Sequence, residues 1–187
     1  MDSAKKQIIR LHIPSEIKYT KLVEDFMNSS GQYIYPDNEP LRHKMCAVMN
    51  EVFTNIVRHS NTSKVDELVR IQMEIGAKAF LISIYDHGPG IEIKGSLPPY
   101  DKSLVGEKVE FRKVIDGTVY MTVVNPYSVS FSFEAAEESN FDKFDELEEM
   151  DGHGFGISIV TKIMDSVSYS YVGDGKFDWQ IIKNLDT

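Results

Sequence analysis

The longest helical pattern in the sequence spans residues 41–59, and it constrains the fold more than any other feature. The segment contains neither glycine nor proline. Its apolar residues recur at helical spacing, at Leu41, Met45, Val48, Val52 and Ile56. The sequence therefore predicts a long amphipathic helix with one apolar stripe that covers a core.

Alternating apolar and polar residues on both sides of this helix indicate strands. Residues 8–13 alternate, and Pro14-Ser15 ends that strand and offers an N-cap to a helix that runs to about Ser29. Residues 69–75 and 79–85 alternate about a Gly76-Ala77-Lys78 turn. They predict a hairpin that ends at Asp86.

The C-terminal part of the sequence repeats this mixture of helix and strands. Helical spacing of apolar residues predicts a helix through Ile157, Val160, Ile163, Met164 and Val167. Residues 168–172 and 177–181 then read as two strands, joined at a Gly173-Asp174-Gly175 hairpin turn. The last strand has one buried face.

The mixed order of strands and helices, with hairpins, predicts an α+β fold. We expect a two-layer α/β sandwich with a mixed, largely antiparallel sheet, and not a doubly wound parallel sheet. The 187 residues, 42% of them hydrophobic, favour a single domain over residues 1–187. Residues 91–150 contain strand-like pieces at 109–115 and 118–133 and an acidic stretch at 134–151, and we interpret them as a long lid or insertion.

The charge and cysteine content disfavour several classes of protein. The chain has 20 Lys and Arg against 29 Asp and Glu, a formal net charge of −9, and its basic residues form no cluster. Non-specific binding to nucleic acid or to an anionic membrane is therefore disfavoured. The single cysteine, Cys46, lies in an apolar helical stretch, and no apolar run is long enough for a signal peptide. We predict a soluble, cytoplasmic protein.

Polar residues share one face of the long predicted helix. Glu51, Asn55 and Arg58 are four and three positions apart, and His59 lies at the border of the same face. One carboxylate, one amide and two basic groups thus converge beside the apolar stripe, where a ligand could be half enclosed. A solvated polar face explains the same pattern, so the spacing alone does not decide.

Two glycine-containing loops are further candidates. Asp86 follows an apolar strand and precedes Gly88 and Gly90, so a fixed carboxylate could accept a hydrogen bond from an amino group, although a tight turn has the same signature. Gly152, Gly154 and Gly156 lie just before a helix, whose free N–H groups and dipole suit phosphate. The acidic residues before these glycines are unlike the buried strand that a dinucleotide-binding unit requires.

Taken in order, the three motifs resemble one family. Glu51-x-x-x-Asn55-x-x-x-His59, Asp86-x-Gly88-x-Gly90 and Gly152-x-Gly154-Phe155-Gly156 are similar to the N-box and the two glycine boxes of the Bergerat-type ATPases, which include gyrase, histidine kinases and MutL. Within that superfamily, residues 50–59, 82–91 and 152–157 most resemble the anti-sigma-factor serine/threonine kinases of bacterial partner-switching systems. The resemblance covers roughly two thirds of the chain, on both sides of the insertion.

The resemblance implies a role for each motif. Asp86 would accept a hydrogen bond from the adenine amino group of ATP, and Gly88 and Gly90 would shape the adenine pocket. Asn55 would bind Mg²⁺, and Glu51 would be the general base or the orienter of the attacking hydroxyl. The three glycines of the second box would donate backbone amides to the phosphates.

The resemblance also implies partners and leaves alternatives. It suggests a Mg·ATP-dependent kinase that sequesters a sigma factor, or a similar regulator, and phosphorylates a small anti-anti-sigma antagonist. The resemblance also implies a homodimer. The insertion over residues 91–150 departs from the lid of these kinases, because it is much longer and because acidic residues stand at 146, 148, 149 and 151. One alternative is a nucleotide-dependent sequestering switch without transfer. Another is the catalytic domain of a histidine kinase.

Overall fold

A computed structural model describes residues 7–65, 68–76, 78–136 and 155–185. Three α-helices lie in these ranges, α1 Thr20–Ile34, α2 Glu39–His59 and α3 Phe155–Ile163. The long helix α2 is confirmed, and it begins before the predicted start because Pro40 is tolerated in a first turn. The side chain of Asn38 caps it by accepting a hydrogen bond of 3.0 Å from the Leu41 amide.

The predicted start and end of α1 were wrong. Ser15 does not cap it, because residues 17–19 form a 3₁₀ turn and the N-cap residue is Tyr19. The helix also continues beyond Ser29 to Ile34. A Cβ built on Gly31 would lie 3.2 Å from Cγ of Arg42, so the absence of a side chain lets α2 pack against this last turn.

One eight-stranded sheet supports the helices, and every strand pair described in it is antiparallel. Its strands are β1 Gln7–Pro14, β2 Leu68–Ile75, β3 Ala79–Asp86, β4 Lys108–Val114, β5 Gly117–Asn125, β6 Ser128–Ala135, β7 Ser166–Gly173 and β8 Lys176–Asn184. Their order is β1-β2-β3-β8-β7-β6-β5-β4. The predicted α+β fold class and the β2–β3 hairpin ending at Asp86 are confirmed.

Three strands from residues 91–150 extend this sheet. Strand β6 pairs with β7, and β5 and β4 follow it to the sheet edge. The strand-like piece predicted at 118–133 is two strands, because the chain turns after Asn125, whose Oδ1 accepts a 2.8 Å hydrogen bond from the Tyr127 amide. The acidic residues from 137 to 151 lie outside the described ranges.

The helices cover one face of the sheet and enclose the core with it. Phe53 and Met49 of α2 and Phe80 and Ile82 of β3 belong to one cluster and are fully buried. Helix α3 ends at Ile163, and Val167, predicted in that helix, lies in β7 instead. The Asp165 amide donates to the Ile182 carbonyl of β8 at 3.0 Å, so the chain already pairs with the sheet just before β7 begins.

Two features of the described helices bear on the sequence predictions. Cys46 is a buried free thiol in α2, as its apolar surroundings predicted. Within the described ranges, no helix combines the length and the apolar character that crossing a bilayer would need.

Candidate functional site

Helix α2 carries the first predicted motif. Glu51 and Asn55 are half-buried and lie one turn apart, whereas Arg58 and His59 are exposed in the last turn. Of the four polar residues that the sequence places together, only Glu51 and Asn55 are thus partly enclosed by the protein. A carboxylate and an amide at the edge of a core can both contact a ligand that is itself half enclosed.

Gly156 brings the start of α3 against the Glu51–Asn55 pair. A Cβ built on Gly156 would overlap Oε2 of Glu51 and lie 3.2 Å from Nδ2 of Asn55. Gly156 lies inside the first turn of α3 and not before the helix, as the sequence had suggested. A side chain at position 156 would push the Glu51 carboxylate aside, so the second glycine motif meets the helix motif here.

The other end of α2 is fastened to the loop that follows β3. The Asn61 amide donates to the His87 carbonyl at 2.5 Å, and the His87 amide donates to Oγ1 of Thr62 at 2.9 Å. Thr62 is fully buried and also accepts a 3.0 Å hydrogen bond from the Ser60 hydroxyl. Sequence reasoning missed Thr62, for which a hydroxyl residue just after the helix end was the only signal.

Asp86 is a buried acceptor at the end of β3. Its residue exposure is 4%, and its Oδ1 has no hydrogen-bond partner among the described residues. Burial, and secondly the charge of Asp178, raise the pKa of Asp86 from 3.8 to about 7. A buried polar atom without a partner is costly, so this carboxylate is prepared for a donor that the chain itself does not supply.

Asp178 is a second buried carboxylate, and sequence reasoning missed it. It is opposite Tyr85 in the β3–β8 register, so its side chain emerges on the sheet face opposite to that of Asp86. Its Oδ2 accepts a 2.7 Å hydrogen bond from Gln180, and burial raises its pKa. Asp178 therefore acts on Asp86 through its charge.

The two glycines after Asp86 serve different purposes. Gly90 has φ of +78°, a conformation that favours glycine, as the sequence predicted for this turn. A Cβ on Gly88 would instead overlap the hydroxyl of Tyr169. Gly88 is thus needed here to admit a protein side chain, whereas the sequence suggested room for a ligand.

An aromatic wall beside this loop was also missed. The rings of Tyr169 and Phe177 are stacked at 4.7 Å with an interplanar angle of 8°, and Trp179 lies 4.5 Å from Tyr169. A Cβ on Gly90 would lie 3.2 Å from Cζ of Phe177, so the loop after Asp86 packs directly against these aromatic rings. The alternation of residues 177–181 predicted a buried face, but nothing local indicated where it lay.

A shallow cavity of about 330 Å³ lies elsewhere, on the face of β1, β2 and β3 that the helices leave open. Arg10, His12, Gln72 and Tyr85 are among its lining residues, and the predicted site residues are not. Arg10 already donates to Gln72 at 2.7 Å. The site that the motifs predict is therefore on the helix-covered side, around α2 and the end of β3.

Two residues of the second glycine motif, Gly152 and Gly154, lie outside the described residues.

In a comparison with protein families, the profile of the histidine kinase-like ATPase domain matches residues 13–177. This range includes the described parts of all three motifs, and the chain belongs to the histidine kinase-like ATPase family. It is therefore an ATP-binding domain. The comparison with curated proteins returned no match.

Proposed function

We propose that this histidine kinase-like ATPase domain is a Mg·ATP-dependent serine/threonine protein kinase and anti-sigma factor. It holds a sigma factor or a similar regulator, and it phosphorylates a small anti-anti-sigma antagonist. The observation that carries the proposal is the contact of Gly156 with Glu51 and Asn55. This contact puts the helix carboxylate beside the N-terminal turn of α3, where phosphate groups are stabilised.

The adenine end of the site is supported by Asp86. Its Oδ1 is buried and lacks a partner among the described residues, which is the state expected of an acceptor for the adenine amino group. The loop carrying it is fixed to the end of α2 through Asn61 and Thr62. Adenine would therefore meet a positioned acceptor and would add the missing hydrogen bond.

The phosphate end is supported by α2 and α3 together. Free amides in the first turn of α3, including that of Gly156, would donate to phosphate oxygens. Asn55 offers an amide oxygen of the kind that binds Mg²⁺, which takes its other ligands from phosphates and water. When bound, Mg²⁺ would offset charge on the phosphates. Glu51 would accept the proton of the substrate hydroxyl as that oxygen attacks the γ-phosphorus, while the bond from the γ-phosphorus to the β,γ-bridging oxygen breaks and ADP leaves with its electron pair.

A second candidate function keeps the ATP site without phosphoryl transfer. The sequence before Gly152 carries Glu146, Glu148, Glu149 and Asp151, and such charges repel a triphosphate when they face it. In this reading, nucleotide binding sets the conformation in which a partner is held. A third reading, the catalytic domain of a histidine kinase, predicts transfer to a histidine.

One assay separates these readings. The protein is incubated with Mg²⁺ and γ-labelled ATP together with small anti-anti-sigma-type proteins from the same genome. Label on a Ser or Thr of such a protein, lost in Glu51→Gln and retained in Glu39→Gln, supports the kinase. Glu39 is the matched control because it is exposed at the other end of α2. Tight ATP binding without label favours the switch, and acid-labile label on histidine favours the third reading.

The pocket itself is tested by binding measurements with Asp86→Asn. Loss of a charged, buried hydrogen bond is expected to weaken ATP binding by about 1.5–3 kcal/mol. Isothermal titration calorimetry with a non-hydrolysable ATP analogue measures this directly. Unchanged affinity would remove Asp86 from the adenine site while leaving the family assignment intact.

A further inference from the structure

Tyr169 is a buried tyrosine whose environment includes the charges of Asp86 and of a second buried tyrosine, Tyr100. The Tyr100 hydroxyl donates to the Ile91 carbonyl at 2.8 Å. The Tyr169 hydroxyl contacts the backbone at Gly88, and no hydrogen bond joins it to another described residue. A hydroxyl at this place in the loop can donate a hydrogen bond to a bound ligand.

The position of Tyr169 on the sheet connects it with Asp86. Asp86 is opposite Phe177 in the β3–β8 register, and Tyr169 is opposite Trp179 in the β7–β8 register. The Tyr169 ring stacks on Phe177 at 4.7 Å. In this position, its hydroxyl lies against Gly88, two residues beyond Asp86. An unpartnered acceptor and an unpartnered hydroxyl therefore border the same loop.

The chemistry of the two groups is complementary. Burial, and then the charges of Asp86 and Tyr100, raise the pKa of Tyr169 far above its usual value, so the hydroxyl keeps its proton and can donate. Asp86, when ionised, can only accept. An acceptor beside a donor matches the adenine edge, on which an amino group neighbours a ring nitrogen. Guanine presents a carbonyl oxygen in place of that amino group, which a carboxylate repels.

We propose that Tyr169 is a second base-reading residue of the ATP site, whose hydroxyl donates to an adenine ring nitrogen while Asp86 accepts from the amino group. This inference rests on the proposed placement of adenine at Asp86. It assigns to Gly88 the task of leaving space for that hydroxyl. It also predicts that the site prefers ATP to GTP and to inosine triphosphate.

The test combines a protein change with a ligand change. Tyr169→Phe keeps the ring that stacks on Phe177 and removes only the hydroxyl. We expect it to weaken binding of ATP about three- to tenfold. Tyr127→Phe is the matched control, because Tyr127 is half exposed in the β5–β6 turn. Thermal unfolding of both variants verifies that the fold is kept.

Deaza analogues then identify the acceptor. The wild-type protein should bind 1-deaza-ATP or 7-deaza-ATP more weakly than ATP, whichever lacks the nitrogen that Tyr169 contacts. Tyr169→Phe should bind ATP and that analogue equally, because the interaction is already lost. If Tyr169→Phe binds ATP like the wild type, or if it discriminates against that analogue as strongly as the wild type does, Tyr169 does not read the base.

The outcomes also separate this inference from the proposed function. Unchanged ATP affinity in both Asp86→Asn and Tyr169→Phe would remove adenine from this loop altogether. Weakened binding in Asp86→Asn alone would leave the adenine site in place and overturn only the role of Tyr169. Binding is measured without any protein substrate, so an absence of phosphoryl transfer affects neither result.

Discussion

Replacing Asp86 by asparagine is expected to stabilise the free protein at neutral pH although it weakens ATP binding. The folded-state pKa of Asp86, about 7, lies above its ordinary value of 3.8 because the carboxylate is buried and, secondly, because it feels the charge of Asp178. Between these two values, the native state holds a proton that the unfolded state has released. Stability contributed by this group therefore falls as the pH rises from about 4 to about 7, and is lowest above that range.

The size of the effect follows from the same shift. A rise from 3.8 to about 7 is about three units, and at 1.36 kcal/mol per unit it corresponds to roughly 4 kcal/mol of lost stability at pH 8. Asparagine has no charge to bury, but its buried amide would also lack a hydrogen-bond partner, and this lowers the gain in stability. We expect a net gain of roughly 1–3 kcal/mol, or about 3–10 °C in Tm for a chain of this length.

Thermal unfolding without nucleotide, at pH 4.5 and at pH 8, measures this gain. The difference in Tm between Asp86→Asn and the wild type should be largest at pH 8 and should shrink toward pH 4.5. Asp37→Asn, in the exposed loop before α2, is the control for a surface carboxylate and should show no such trend. Parallel pH profiles of Asp86→Asn and the wild type, or a variant less stable at pH 8, would refute the buried-charge explanation.

Three further predictions concern the same site. Binding of ATP should weaken between pH 8 and pH 6 in the wild type, because protonation of Asp86 removes the acceptor, and calorimetry should show a smaller change in Asp86→Asn. Gly156→Ala forces Glu51 aside, so phosphoryl transfer should fall at least about tenfold in the labelling assay, with a smaller effect on ATP affinity. Thr62→Val removes the buried hydroxyl that accepts from the half-buried His87 amide and should lower the free energy of unfolding by about 1–3 kcal/mol, measured by denaturant titration.

Local patterns explain which parts of the fold could be predicted. The apolar residues of helix α2 recur at helical spacing, and the strands β2 and β3 alternate and follow each other in the chain, so the sequence indicates both directly. The place of β6 depends on β7, and the two paired residues Val129 and Tyr169 are forty positions apart in the chain. No local signal encodes such a pairing. The N-cap predicted at Ser15 failed because the 3₁₀ turn that follows it moves the start of α1.

The same distinction holds within the site. The positions of Asp86 and Gly90 could be predicted, because one depends on where a local strand ends and the other on the backbone conformation of a local turn. The requirement for glycine at positions 88 and 156 arises from side chains that approach from elsewhere, Tyr169 and Glu51. These contacts depend on strand register and on helix packing. A glycine motif in the sequence therefore indicates close approach without revealing what approaches.

Helix α2 joins the two ends of the site, and this explains why binding and transfer can be tested separately. Its last residues are followed by Asn61 and Thr62, which fix the loop after Asp86, while Glu51, two turns earlier, meets Gly156. A change at Thr62 therefore loosens the adenine end first, and a change at Gly156 disturbs the phosphate end first. A variant that loses transfer while it keeps ATP affinity must act at the Glu51 end, and a variant that loses both acts on the loop or on the helix that carries them.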